Sequence, residues 1–105
     1  MVYTYNKLVR DKILEGLDKK GLKYTYSILD NSEYSKELNK KLLEESNEYI
    51  QDQNIEEIAD IMEVLMAIIN NEGYTMEEVQ QVMDKKREAK GAFRNKIFLK
   101  EVEEN

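Results

Sequence analysis

Residues 38–69, LNKKLLEESNEYIQDQNIEEIADIMEVLMAII, decide the fold. Two stretches of helical periodicity flank Asp52-Gln53-Asn54, a polar trio that interrupts both. In the first stretch Leu38, Leu42, Glu45 and Tyr49 fall on one narrow stripe, given about 100° of rotation per residue. Glu45 therefore stands where an apolar side chain is expected, and Glu48 lies beside it one turn on. In the second stretch Ile55, Ile58, Met62, Leu65, Met66 and Ile69 take one side, and Ile61, Val64 and Ile68 the next. A helix apolar over so much of its circumference is central in a bundle or sits at a subunit interface. Glu57 projects with Val64 and Ile68, and Asp60 borders the same side. A connection this short folds the two helices back as antiparallel neighbours. The pairs Glu45/Glu48 and Glu57/Asp60 then meet near the turn.

Four carboxylates in one place repel one another unless a cation lies among them. Oxygen donors without His or Cys suit Mg²⁺, or alternatively Mn²⁺, rather than zinc. Taken singly, each residue has a plainer explanation. Acidic pairs three apart are ordinarily solvated surface, and so is Glu48 alone. Glu57, third in its helix after Asn54, also fits a capping box. It is the combination of an interrupted apolar stripe, two acidic pairs and a short connection that points to a metal.

Outward from this segment the chain reads as helical. A first helix is expected from Val9 to Lys20, with Leu8, Ile13 and Leu17 on its apolar side and Gly21 as its stop. Gly16 inside it costs about 1 kcal/mol relative to alanine. Leu22 to Leu29, LKYTYSIL, reads as a short strand or extended segment. Asp30-Asn31-Ser32 signals a helix start, and a long helix is expected from Glu33 to Ile50. Asn54 caps the next, from Ile55 to Asn70. Thr75 with Glu78 is a capping-box pattern opening a helix to Ala89, which Gly91 ends. The tail from Ala92, with Phe93, Ile97, Phe98 and Leu99, is expected to pack back on the bundle. The fold class is thus all-α: an antiparallel bundle of about four helices with a short extended segment near residues 22–29. One domain, 1–105, is the length-based expectation. A chain this small buries a modest share of its surface, so oligomerisation is expected to complete it.

Composition narrows the chemistry. The 105 residues include no cysteine and no histidine, which removes thiolate chemistry, the commonest general base and the commonest zinc ligand. With 22 acidic and 16 basic residues the net charge is −6, unfavourable for binding nucleic acid. No apolar run approaches the roughly 20 residues that span a bilayer, so no membrane association is expected. The opening MVYTYNKLVRDK lacks the apolar core of a signal peptide, and a cytoplasmic location is the expectation. There is no Gly-x-x-x-x-Gly-Lys phosphate loop.

Glu45-x-x-Glu48 followed by Glu57-x-x-Asp60 resembles the signature of the all-α nucleoside triphosphate pyrophosphohydrolases, the MazG-like superfamily. The opening Tyr5-Asn6-Lys7-Leu8-Val9-Arg10-Asp11-Lys12-Ile13 is similar to that of its phosphoribosyl-ATP pyrophosphohydrolase-like branch. Residues 41–45 and 56–64 resemble the middle, and residues 86–93 the end, so the likeness spans nearly the whole chain. Leu14 stands where the branch often has proline, Ala92 where a second glycine is common, and the interval between Glu48 and Glu57 is short beside that of MazG proper. None of these touches the carboxylates; they leave the substrate open.

The resemblance implies hydrolysis of a nucleoside triphosphate or related nucleotide to the monophosphate and pyrophosphate, as nucleotide-pool house-cleaning. It implies Mg²⁺ held by Glu45, Glu48, Glu57 and Asp60, and a homodimer or tetramer. Without histidine a carboxylate must take the proton of the attacking water, Glu44 or Glu45. Phosphates need positive partners. Asn6, Lys7 and Arg10 in the recognisable opening are the first candidates, with Lys86, Arg87 and Lys90 near the end; Lys12, Arg94 and Lys96 read more simply as surface charge. Tyr3 and Tyr5 can stack on a base, although terminal tyrosines more often just pack. Two other functions compete: phosphoribosyl-ATP hydrolysis in histidine synthesis, and a helical dimer that binds nucleotides or a protein without turnover.

Overall fold

The computed structural model describes residues 1–104 and contains four helices, α1 (Ile13–Lys19), α2 (Asn31–Asp52), α3 (Ile55–Asn71) and α4 (Met76–Lys90), with no strand among the described residues. The expected all-α class is what is observed. The chain divides into two compact units, Met1–Gly73 and the part from Tyr74 onward.

In the first unit α2 and α3 pack on one another as a hairpin. Gln53 makes the turn possible. It takes the left-handed conformation (φ 51°, ψ 37°) and its N–H closes on the Tyr49 carbonyl. Asn54 then caps α3, its side-chain oxygen accepting from the Glu57 N–H at 3.0 Å. Two residues thus reverse the chain and hold the ends of both helices in register. At the far end Asp30 caps α2 by accepting from the Glu33 N–H at 2.8 Å. The helix accordingly starts at Asn31, two residues ahead of expectation, because Asp30, the first residue of the helix-start trio, is the cap.

α1 is shorter than expected. Its boundary residue Lys12 offers no side-chain cap, and residues 11–12 form a turn, closed by the Ile13 N–H on the Arg10 carbonyl at 3.1 Å, instead of a first helical turn. Gly21 ends it as anticipated, at φ 69°, with the Leu22 N–H bonded back to the Leu17 carbonyl. Residues 22–29 run without regular structure. Tyr24 ties them to α1 through its hydroxyl, which donates to Asp18 at 2.9 Å.

The second unit is α4 and the chain after it. Thr75 and Glu78 form the full reciprocal capping box, and Gly91 ends the helix at φ 85°. Within this unit the tail finds no apolar cover. In this unit Phe93, Ile97, Phe98 and Leu99 are all exposed, since one helix has no second apolar layer to receive them.

Among the described residues the buried ones are few: Leu38, Val64 and Glu45. Two of these are apolar, one on each helix of the α2–α3 hairpin. The third is a carboxylate.

Candidate metal centre

Glu45 is 7% exposed. It is buried because it shares the inward stripe of α2 with Leu38 and the half-buried Leu42 and Tyr49. Opposite it, α3 turns Val64 inward with the half-buried Ile61 and Ile68, and Glu57 and Asp60 ride on that side, both half-buried. One carboxylate oxygen from each of Glu45, Glu57 and Asp60 lies within 4.8 Å of the other two. Two sides of a hairpin therefore converge on one point, as the stripe geometry predicts.

Two oxygens in this group, Glu45 Oε2 and Glu57 Oε2, are buried without a hydrogen-bond partner. The contrast with α4 is instructive. There Glu78, third after its cap, bonds back to Thr75 and completes the box. Glu57 holds the same position after Asn54 but engages the cap only through its backbone N–H, which donates to Asn54 Oδ1; its carboxylate is left to the acid group. The capping-box explanation of Glu57 is thus not the one its side chain follows.

Burial raises the Glu45 pKa above the ordinary carboxylate value, and the neighbouring charges of Glu48 and Asp60 raise it further, against the pull of Lys41. Burial also raises that of Glu57, followed by the charges of Glu48, Asp60 and Asp52. Glu48 itself is exposed and stands outside the close trio, although its charge is felt by both. Of the four expected carboxylates the structure brings three together and leaves the fourth at the rim.

The donor set fits a hard divalent cation. Mg²⁺ binds oxygen at about 2.0–2.1 Å and Ca²⁺ at about 2.3–2.6 Å, so ligand oxygens on opposite sides of such an ion stand roughly 4–5 Å apart. An unpaired, desolvated carboxylate oxygen costs stability, and an ion among the three would satisfy both orphaned atoms at once. Thiolate- or imidazole-seeking metals find no ligand of their kind here.

Cations of the chain ring the group. Arg10 Nη2 donates to Asp60 Oδ1 at 2.7 Å. Lys41 stands 3.5 Å from both Glu44 and Glu45, and Lys7 lies 3.7 Å from Glu44. Glu44 is thereby held between two lysines just beside Glu45. Lys41 is a member of the site that motif reading passed over; its position four residues before Glu45 is the signal that finds it. Asn6 is exposed, with a positive φ of 45° that turns the chain just before Lys7. Tyr5 is also exposed and carries the Lys7 ammonium 5.9 Å from its ring centroid. Lys86, Arg87 and Lys90 belong to the second unit, exposed on the last turns of α4, where Arg87 pairs with Asp84 at 3.4 Å.

Among the described residues no helix is long and apolar enough to cross a membrane. Comparison with protein-family models, with curated proteins and with solved structures returns no match to this chain.

Proposed function

We propose that this protein is a metal-dependent nucleotide pyrophosphohydrolase that cleaves a nucleoside triphosphate or related nucleotide to the monophosphate and pyrophosphate. One observation carries the reading: three carboxylates from two helices meet at one point, with two buried oxygens left unpaired. The family resemblance of the motifs supplies the reaction; the geometry supplies a reason for the motifs.

Glu45, Glu57 and Asp60 would hold Mg²⁺ or Mn²⁺, with Glu48 at the rim. When bound, the ion offsets the negative charge of the phosphates and of the departing pyrophosphate. The chain supplies the rest. Lys7 and Arg10 bring positive charge to the edge where phosphate oxygens would lie. A water oxygen bonds to phosphorus as the bond to pyrophosphate breaks, and its proton passes to a carboxylate. Of the two candidates, Glu45 stands within the converging carboxylate group itself, beside the point where the water would be held. Glu44 divides its oxygens between Lys7 and Lys41; its role is to set the position of those lysines.

The protein is incubated with Mg²⁺ or Mn²⁺ and a panel of ribo- and deoxynucleoside triphosphates together with phosphoribosyl-ATP, and the products are identified. Pyrophosphate released by the wild type and abolished by Asp60→Ala and Glu45→Ala is the expected result. Turnover confined to phosphoribosyl-ATP would assign histidine synthesis. Orthophosphate release, or metal-independent binding with no turnover, would refute the proposal.

The working form, in this reading, contains at least two copies. On α3 the stripe Ile55, Ile58, Met62, Leu65 and Met66 is exposed, with Ile55 at 79% and Met62 at 54%. This stripe lies about 130° around the helix from the Glu57–Val64–Ile68 side, so a second copy can cover it without entering the acid group. Met62→Asp should shift the mass measured by light scattering toward the monomer; an unchanged mass would remove this face from the interface.

A further inference from the structure

The acid group already has a cation of its own. The Arg10–Asp60 bond, at 2.7 Å, is the shortest ion pair among the described residues and joins positions 50 apart. With Lys7–Glu44 it is one of two pairs that are not between neighbours on one helix. Both come from the irregular segment before α1, and both end on the carboxylates around Glu45. The Arg10 side chain is 60% exposed, and pairs so exposed add little to stability. The pair is therefore easily exchanged. Its position is what distinguishes it: the guanidinium sits on one of the three residues whose oxygens converge.

We infer that Arg10 is the resident cation of the acid group, which a divalent ion must compete with for Asp60, and that the guanidinium released by that competition becomes a phosphate ligand. The inference rests on the metal reading of the trio. An ion among Glu45, Glu57 and Asp60 neutralises the charge that attracts Arg10 and adds positive charge beside it. Arg10 is then left at the rim of the site, on a segment without helix or strand to restrain it. A guanidinium presents paired N–H donors that match phosphate as well as carboxylate. A phosphate drawn to the ion would lie beside this group. The exchange orders events: ion first, phosphate second, with Arg10 passing from one anion to the other.

The consequence is a pair of effects with opposite signs, which an ordinary surface ion pair does not give. Arg10→Gln should bind Mg²⁺ alone more tightly, on the order of tenfold at low salt for the loss of one charge beside a divalent ion, with the gain shrinking as salt rises. The same variant should bind inorganic pyrophosphate more weakly in saturating Mg²⁺, again on the order of tenfold for one lost charged hydrogen-bonding group. Isothermal titration calorimetry with Mg²⁺, then with pyrophosphate in Mg²⁺, reads both. Lys36→Gln, an exposed charge on α2 without an ion-pair partner, controls for net charge. Arg10→Lys, which keeps the charge but not the fork, should leave Mg²⁺ affinity near wild type and weaken pyrophosphate. Far-ultraviolet circular dichroism confirms that each variant is folded. If Arg10→Gln binds Mg²⁺ no better than wild type, or binds pyrophosphate equally well, the inference is wrong while the metal reading stands. If the wild type binds neither Mg²⁺ nor Mn²⁺, both fall together.

Discussion

Replacing Glu45 with leucine should make the metal-free protein more stable while abolishing its response to divalent ions. Glu45 is 7% exposed on a stripe otherwise made of Leu38, Leu42 and Tyr49, and its Oε2 has no partner. A buried acceptor left unsatisfied costs about 1–3 kcal/mol. A leucine in the same place is of similar size and gains about 1.5–3 kcal/mol if fully buried. Against this stand the lost pairing with Lys41, about 0.2–0.5 kcal/mol for neighbours four apart on a helix, and imperfect fit of the branched side chain, about 1–3 kcal/mol. The balance is a gain of about 2 kcal/mol, or roughly 10 °C in Tm for a chain of this size. Thermal and urea unfolding followed by circular dichroism in EDTA measures it. Added Mg²⁺ should stabilise the wild type by mass action and leave Glu45→Leu unmoved. Glu45→Gln, which removes charge but keeps a polar group, should fall between the two. The reasoning fails if Glu45→Leu unfolds earlier than wild type in EDTA, or if Mg²⁺ still raises its Tm.

Three further outcomes follow from the same structure. The pKa values of Glu45 and Glu57 are raised in the folded state, so the native protein holds more protons than the unfolded chain between the ordinary carboxylate value and the raised one. Metal-free stability should therefore increase as pH falls from neutrality through that window, and saturating Mg²⁺ should flatten the rise; Tm against pH in EDTA and in Mg²⁺ tests both. Asn54→Ala removes the oxygen that accepts from the Glu57 N–H and should cost about 1 kcal/mol in urea unfolding, together with a weakened Mg²⁺ response, because the cap sets the turn that carries Glu57. Gly16→Ala meets open space at its new carbon in an ordinary helical conformation and should raise stability by about 0.5–1 kcal/mol; a loss would mean that this face of α1 is covered in the assembled protein.

The hairpin was legible because its signals are local and redundant. Asn54 is a cap by residue type and position, the apolar stripe of α2 shows in its spacing, and the helix-breaking trio is short. The site was legible for the same reason. Glu45 sits on an apolar stripe, and a short turn forces that stripe against α3. Less visible was what distance along the chain conceals. That Arg10 reaches Asp60 depends on the path of residues 1–12, which carry no periodicity to fix it. The early start of α2 turns on which residue of Asp30-Asn31-Ser32 caps, since all three are of types that cap well. The tail could not be read because its apolar residues have no periodic partner within their own unit, and side-chain type alone does not say whether a second copy supplies one.

A chain with so little buried apolar area places a carboxylate among the three buried residues of those described, a choice that costs stability where stability is scarce. Solvent exposure would have cost nothing, and positions of that kind abound on α2. Structural need does not account for it, since leucine would serve the hairpin better. What burial provides is a raised affinity for positive charge: a desolvated carboxylate beside two others binds a proton, a guanidinium or a divalent ion more tightly than one in water. The protein already shows one such response, in Arg10 on Asp60. A site that draws a cation to one face of a hairpin, while the opposite apolar side of α3 stays uncovered, separates the two demands on that helix. On the proposed reading one side serves the metal and the other assembly, and Met62→Asp and Asp60→Ala should each disturb only its own.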